Sequence, residues 1–207
     1  MQVVDAEVGD EVYRRRDPIT EVHFPLTAVY SLVAVVDDRI QVEVGTVGYE
    51  GMVGLPLFLG ATTSPNATFC QVPGRAARMS AGDFGSYLAL DGDLHGRLHR
   101  YTQSTMVQMA QNVVCNASHG TARRAARWLL TTADRTRSAT FPLTQEFLAQ
   151  MLGVRRPTVS ETAGQLQAAG LIRYTRGVIT ITDRDALHRV ACECYDIVRQ
   201  EFDTVTP

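Results

Sequence analysis

The sequence predicts an α+β chain in three parts: a jelly-roll-like β-roll, a long helix and a winged helix-turn-helix. Three observations carry this. Residues 1–80 hold short β-branched and aromatic runs broken by turn residues. From Leu94 to Asn116, apolar residues recur every three or four positions, the helical period. Leu143 to Gly170, LTQEFLAQMLGVRRPTVSETAGQLQAAG, reads as two short helices about a glycine. The expected boundaries are 1–92 for the roll, 93–118 for the connecting helix and 119–207 for the winged part.

Composition sets outer limits. The chain has 207 residues, 45% of them hydrophobic, enough for a core and too many for disorder. No apolar run approaches the roughly 18 residues of a membrane span, so no membrane partner is expected. The start MQVVDAEVGDEV is acidic and lacks a signal-peptide pattern, which points to the cytoplasm. Every basic residue is arginine, which we read as a GC-rich coding bias. Net charge is −2, but it is unevenly spread: residues 1–114 carry −5, residues 115–207 carry +3, and 121–182 carry nine Arg against three acids. Positive charge gathers around the two short helices, as phosphate binding requires.

In the roll, Val22-His23-Phe24, Val29 to Val36, Ile40 to Val44, Ala67 to Val72 and Ala76 to Met79 are candidate strands. Asp17-Pro18, Pro25, Asp37-Asp38 and Gly45 mark turns. Ile40, Val42 and Val44 alternate with Gln41 and Glu43, the period of a half-buried strand. GTVGYEGMVG, Gly45 to Gly54, suits either a phosphate cradle or a turn-rich corner, and matches neither a Walker loop nor a dinucleotide fingerprint. Ser80 or Asp83 can open a helix.

The long helix has two stripes. Leu94, Leu98, Tyr101, Thr105, Gln108, Asn112 and Cys115 form one; Met106, Met109 or Ala110, Val113 and Ala117 form the other. Two faces need two partners, the chain's own β-domain and the same helix of a second copy, and we expect the second copy to meet the first stripe, Leu94 to Asn112; the alternative is a helix packed only within one chain. A helix from Thr121 to Ala133 follows, with Ala122, Ala125, Ala126 and Leu129 inward beneath Trp128 and Arg123, Arg124 and Arg127 outward. Asp134 to Thr140 reads as a polar linker.

In the helix pair, Thr144 caps the first helix, Leu148 and Leu152 share a face, and Gly153 ends it. Val154 plugs the turn, and Pro157 suits the first turn of the second helix. There Val159, Ala163 and Leu166 form the inner stripe, leaving Arg155, Arg156, Thr158, Ser160 and Glu161 outward, a shape suited to the DNA major groove. Leu171 to Tyr174 and Val178 to Ile181 form a hairpin about Thr175-Arg176-Gly177, a wing with Arg176 at its tip. A last helix starts from a capping box at Thr182 and Asp185, with Leu187, Cys194 and Phe202 on its stripe.

The cysteines are Cys70, Cys115, Cys192 and Cys194. On a helix, positions two apart face different ways, so Cys192 and Cys194 should not share a metal. No zinc or iron–sulfur spacing exists, so no metal site or cofactor is expected. Free buried thiols are the default, with redox sensing by Cys115 or Cys194 as the alternative. His95 and His99 are i and i+4 but lack a third ligand, and GxSxG, HExxH and P-loop motifs are absent, so no enzyme is expected.

This order of parts resembles the cyclic AMP receptor protein/Fnr superfamily of bacterial transcription regulators. The likeness is strongest over LTQEFLAQMLGVRRPTVSETAGQLQAAGLIRYTRGVITITD and weaker over EVHFPLTAVYSLVAVV and VGYEGMVG. It implies a cyclic-nucleotide-binding-type roll, a homodimer on two-fold symmetric double-stranded DNA, contact with RNA polymerase and a small-molecule effector. It implies base reading by Arg156, Ser160 and Glu161, phosphate contacts by Arg155 and Thr158, and an effector pocket around Gly48, Glu50, Gly51, Met52 and Gly54; Thr144 is expected at the DNA as well, and Arg176 at the wing tip is placed to touch a phosphate. The chain departs from the cyclic AMP pattern. Met52 stands at the ribose-binding Glu position, Glu50 is out of register, and no Arg lies near Pro65-Asn66-Ala67 to meet a phosphate. Cyclic AMP is therefore not the expected effector. The Fnr-type N-terminal cysteine cluster is absent, and the first strand lies close to the start of the sequence. The alternatives are a winged-helix module for protein contacts, which the positive region disfavours, and an enzyme sited in the roll.

Overall fold

The computed structural model describes residues 1–36, 40–90 and 92–205. Seven strands build the roll: β1 (Gln2–Ala6), β2 (Glu11–Tyr13), β3 (Glu21–Pro25), β4 (Val29–Val36), β5 (Ile40–Val47), β6 (Asn66–Val72) and β7 (Gly74–Ser80). They form two antiparallel sheets, ordered β1-β7-β3 and β2-β6-β4-β5. Val22 and Ala76 from one sheet and Tyr30, Val47 and Cys70 from the other share one buried core, so the sheets pack face to face. All five predicted strands are present. β1 and β2 had no counterpart in the reading of the sequence, and the predicted Asp37-Asp38 turn lies outside the described residues.

The alternation in β5 is inverted. Glu43 is buried and Val42 and Val44 are half-buried, because this face meets the C-terminal half of the chain. After β5 comes a short helix, α1 (Leu55–Phe58); after β7 comes α2 (Ala81–Leu88), capped by Ser80 Oγ, which accepts from Asp83 N.

The long helix α3 (Gly92–Ser118) spans 27 residues, about 40 Å. Its packing corrects the expected dimer face. Leu98, Tyr101, Thr105, Gln108 and Asn112 are buried within the chain, and Leu94 packs against the roll core. Gln108 Oε1 accepts from Thr46 N, Asn112 Nδ2 donates to Val44 O and Tyr101 Oη donates to Met52 O. Their polar ends satisfy the backbone of the roll. The exposed side carries Gln103, Met106, Ala110, Val113 and Ala117, spaced 3-4-3-4.

The C-terminal half contains α4 (Thr121–Thr136), β8 (Thr140–Pro142), α5 (Gln145–Leu152), α6 (Arg156–Ala168), β9 (Ile172–Thr175), β10 (Val178–Ile181), α7 (Arg184–Val190) and α8 (Cys194–Asp203). β8 pairs with β10 and completes a three-stranded sheet, and the expected linker of 134–140 shortens to 137–139, because α4 runs to Thr136 and β8 starts at Thr140. The single last helix is in fact two, broken at Ala191–Glu193. Its cap is Asp183, whose side chain accepts from Ala186 N, while Thr182 Oγ1 donates to Gly170 O. A second core joins Trp128, Leu129, Leu148, Val159, Leu166 and Ile179 and takes in Val29 and Val72 of the roll. Val198 and Phe202 of α8 join the roll's own core. The two halves are thus packed together through apolar contacts in both directions.

Candidate nucleic-acid interface

The helix pair forms as its residues dictate. Thr144 Oγ1 accepts from Phe147 N at 3.1 Å and caps α5. Gly153 takes a left-handed φ of 62°, and Val154 N donates to Ala149 O, closing the helix end as such glycines do. Val154 packs on the core as the expected plug. Pro157 lies in the first turn of α6, and Val159, Thr162 and Leu166 turn inward. Arg155, Arg156, Thr158, Ser160 and Glu161 are all exposed. Ser160 Oγ donates to Gln145 Oε1, which ties α6 to α5. Glu161 Oε1 accepts from Gln165 at 3.4 Å and is not paired with Arg156.

The wing turns at Arg176 and Gly177, both with positive φ (50° and 76°), the geometry of a two-residue hairpin turn that follows strand twist. Arg176 stands exposed at the tip. Tyr174 fixes the wing to the helix pair: its hydroxyl donates to Leu143 O and its N–H donates to Gln167 Oε1. α6 and the wing tip therefore belong to one rigid, basic unit.

Behind this unit, α4 presses on the roll, and two expected outward arginines are corrected. Arg124 donates to Leu152 O, and Arg127 is buried. So is Arg135, whose Nε donates to Glu50 Oε1 at 2.6 Å in an ion pair with both side chains about 5% exposed. Its guanidinium also lies 5.3 Å from the Phe202 ring. Glu43 sits beside this pair. Trp128 Nε1 donates to Glu43 Oε1 at 2.9 Å, and Ser31 Oγ lies 2.9 Å from Glu43 Oε2 and 2.7 Å from Gln71 Oε1. One hydroxyl proton cannot serve two acceptors. Ser31 therefore donates to Glu43 or to Gln71, one at a time. Burial, the largest influence, pushes the Glu43 carboxyl up to about 7 against the lowering effect of Ser31, Trp128, Arg127 and Arg135. Gln71 Nε2 donates in turn to Thr132 Oγ1, so the chain of bonds runs from roll to α4.

The glycine-rich stretch serves this packing. A Cβ on Gly48 would lie 2.6 Å from Arg135 Cβ, and one on Gly51 would lie 2.2 Å from the Tyr101 ring. Gly54 has a φ of 99° and Met52 is buried. Glu50 is committed to Arg135 and to Gly48 N. Beside the stretch, a cavity of about 150 Å³ is lined by Leu32, Val47, Met52, Val53, Tyr101 and Met109, with no arginine in its wall among the described residues. His95 and His99 meet each other and the Phe58 ring, and no third ligand joins them among the described residues.

Three of the four cysteines come together, while Cys70 stays in the roll core. Because the helix breaks at Ala191–Glu193, Cys192 and Cys194 both turn toward Cys115 and His119. The i, i+2 argument assumed a continuous helix, and the sequence offers Cys115 and His119 no visible link to residues more than 70 positions away.

Residues 123–190 match the family described as the Crp-like helix-turn-helix domain. No curated protein sequence matches the chain. Among solved structures, FixK2 from Bradyrhizobium japonicum is similar, with 15% identity and a TM-score of 0.76 over 92% of this chain and 97% of that one. A CRP-family transcriptional regulator from Thermus thermophilus gives 18% identity and 0.75 over 92% and 96%; a CRP/FNR-family regulator of the same organism gives 20% and 0.71 over 92% and 98%. The chain thus has the fold of the Crp/Fnr regulators and carries their Crp-like helix-turn-helix domain.

Proposed function

We propose that the protein is a homodimeric, sequence-specific DNA-binding transcription regulator of the cytoplasm. The observation that carries this reading is the exposed row Arg155, Arg156, Thr158, Ser160 and Glu161 on α6, on one rigid unit with Arg176 of the wing. Arg156 reaches guanine, and Ser160 and Glu161 read neighbouring bases, Glu161 as an acceptor from cytosine. Arg155, Thr158, Thr144 and Arg176 hold phosphates. The subunits meet along Met106, Ala110, Val113 and Ala117, an exposed seam with the spacing of a two-helix contact. The effector, if it enters the roll, is small and apolar: among the described residues the cavity there has no cation for a cyclic phosphate, and Glu50 is already held by Arg135. The bonds through Glu43 and Glu50 connect roll to α4 and offer the route by which occupancy of the roll reaches α6.

Footprinting on the region upstream of its own gene tests the reading. The expected result is a two-fold symmetric protected site, and sedimentation should give a dimer that Val113→Glu converts to monomers. Absence of binding to any duplex in a genome-wide selection would overturn it.

A further inference from the structure

Cys115, Cys192 and Cys194 form a buried cluster of their own, outside both apolar cores. With His119, their donor atoms all lie within 4.8 Å of one another. Cys115 and His119 are one helical turn apart at the end of α3, joined by His119 N donating to Cys115 O. Cys192 and Cys194 come from the break between α7 and α8. The cluster therefore straddles the joint where α3 hands over to α4.

We propose that Cys115, His119, Cys192 and Cys194 bind one Zn²⁺ per chain, through three sulfurs and His119 Nδ1, and so clamp this joint. Three sulfurs and one imidazole make a closed four-ligand set, the type found in structural zinc sites. The spacing fits. Tetrahedral zinc with bonds of about 2.0–2.3 Å needs ligand atoms roughly 3.5–3.8 Å apart. Cys115 Sγ lies 3.5 Å from Cys192 Sγ, and Cys194 Sγ lies 3.7 Å from His119 Nδ1. The surroundings fit as well. His119 Nε2 is 3.5 Å from Glu193 Oε1, the carboxylate partner that leaves Nδ1 free to ligate. Three thiolates and a neutral imidazole around Zn²⁺ carry one net negative charge, and buried Arg127 stands near Cys115 to balance it. Small apolar packing would need none of this: neither a histidine with a carboxylate behind it nor three sulfurs facing each other.

The test uses the full chain, purified reduced and anaerobically. Elemental analysis should give about one zinc per chain. After stripping, Co²⁺ should produce thiolate charge-transfer bands and the visible bands of a tetrahedral site. Cys194→Ser should lower zinc affinity by more than about 100-fold, and Glu193→Gln by about 10-fold. His119→Cys should keep the stoichiometry while moving the cobalt bands to longer wavelength, which separates ligand loss from misfolding. A folded, reduced wild-type chain that takes up less than about 0.1 Zn²⁺ when supplied with excess overturns the proposal. So does a sulfide-containing brown chromophore, which would make the site an iron–sulfur one.

Discussion

The arginines of α4 and those of α6 belong to the same basic stretch and are used in opposite ways. Of the nine in 121–182, Arg127 and Arg135 are buried and Arg124 is spent on a backbone carbonyl, whereas Arg155 and Arg156 stand in solvent. Charge counted along the chain therefore overstates what faces a phosphate. A buried guanidinium is a fixed structural part whose loss strands a charge; an exposed one costs the fold little and is free to bind.

The largest effect should come from breaking the buried pair. Arg135→Ala leaves the Glu50 carboxylate nearly fully enclosed, and we expect a loss of about 3–5 kcal/mol in urea unfolding. Replacing both partners by apolar residues of similar size should restore most of it. Arg155→Ala, on the exposed helix, should stay within about 0.5 kcal/mol. Equal losses for Arg135 and Arg155 would erase the distinction between the two helices.

Glu43 sharpens the same contrast through pH. Its carboxyl, ordinarily at 4.5, titrates near 7 in the folded chain, so the folded state holds the proton more tightly. Stability from this group is complete below about 4.5 and is lost as pH rises through about 7. The shift bounds the loss at ~3 kcal/mol. Glu43→Gln mimics the neutral form: it should unfold with a flatter pH dependence and gain on the wild type above pH ~7. A wild type that grows more stable than Glu43→Gln between pH ~5 and ~8 would show the carboxylate to be the stabilised form.

How much of this was visible beforehand divides along the same line. The helix pair, its Thr144 cap, Gly153, the wing and the outward α6 row follow from local rules of period, capping and turn chemistry, and all stand as read. What failed depended on partners distant in sequence. Glu43 faces inward because Trp128, 85 residues on, supplies its donor. The stripe from Leu94 to Asn112 satisfies the chain's own roll, and its polar members Gln108 and Asn112 meet Thr46 N and Val44 O. The glycines at 48 and 51 suited either a phosphate cradle or a turn-rich corner, and they admit Arg135 and Tyr101, which the sequence did not link to them. The cysteines were separated by a helix that breaks between them.

On α6 itself, neighbouring arginines should separate on DNA. Arg156→Ala should cost about 1–3 kcal/mol of discrimination between the best site and a single-base variant. Arg155→Ala should weaken every duplex alike and lower the salt slope by about one unit per protomer. Band shifts across a salt series read both. Identical slopes and identical discrimination in the two variants would remove the assignment of one to a base and the other to a phosphate.

The smallest effect lies at Thr144, where a structural and a binding role share one hydroxyl. Its oxygen accepts from Phe147 N, and the residue is exposed, so the hydroxyl still has a proton to donate to a phosphate. Thr144→Ala should therefore cost about 1 kcal/mol of stability and weaken DNA binding as well. Thr144→Asp separates the two. The carboxylate caps α5 as well as a hydroxyl does and suits the helix's positive end, so stability should hold within about 0.5 kcal/mol. Facing a phosphate, the same carboxylate repels, so duplex affinity should still fall, and more steeply at low salt. If Thr144→Asp kept full affinity, the residue would be a cap alone, and the phosphate row would begin at Arg155.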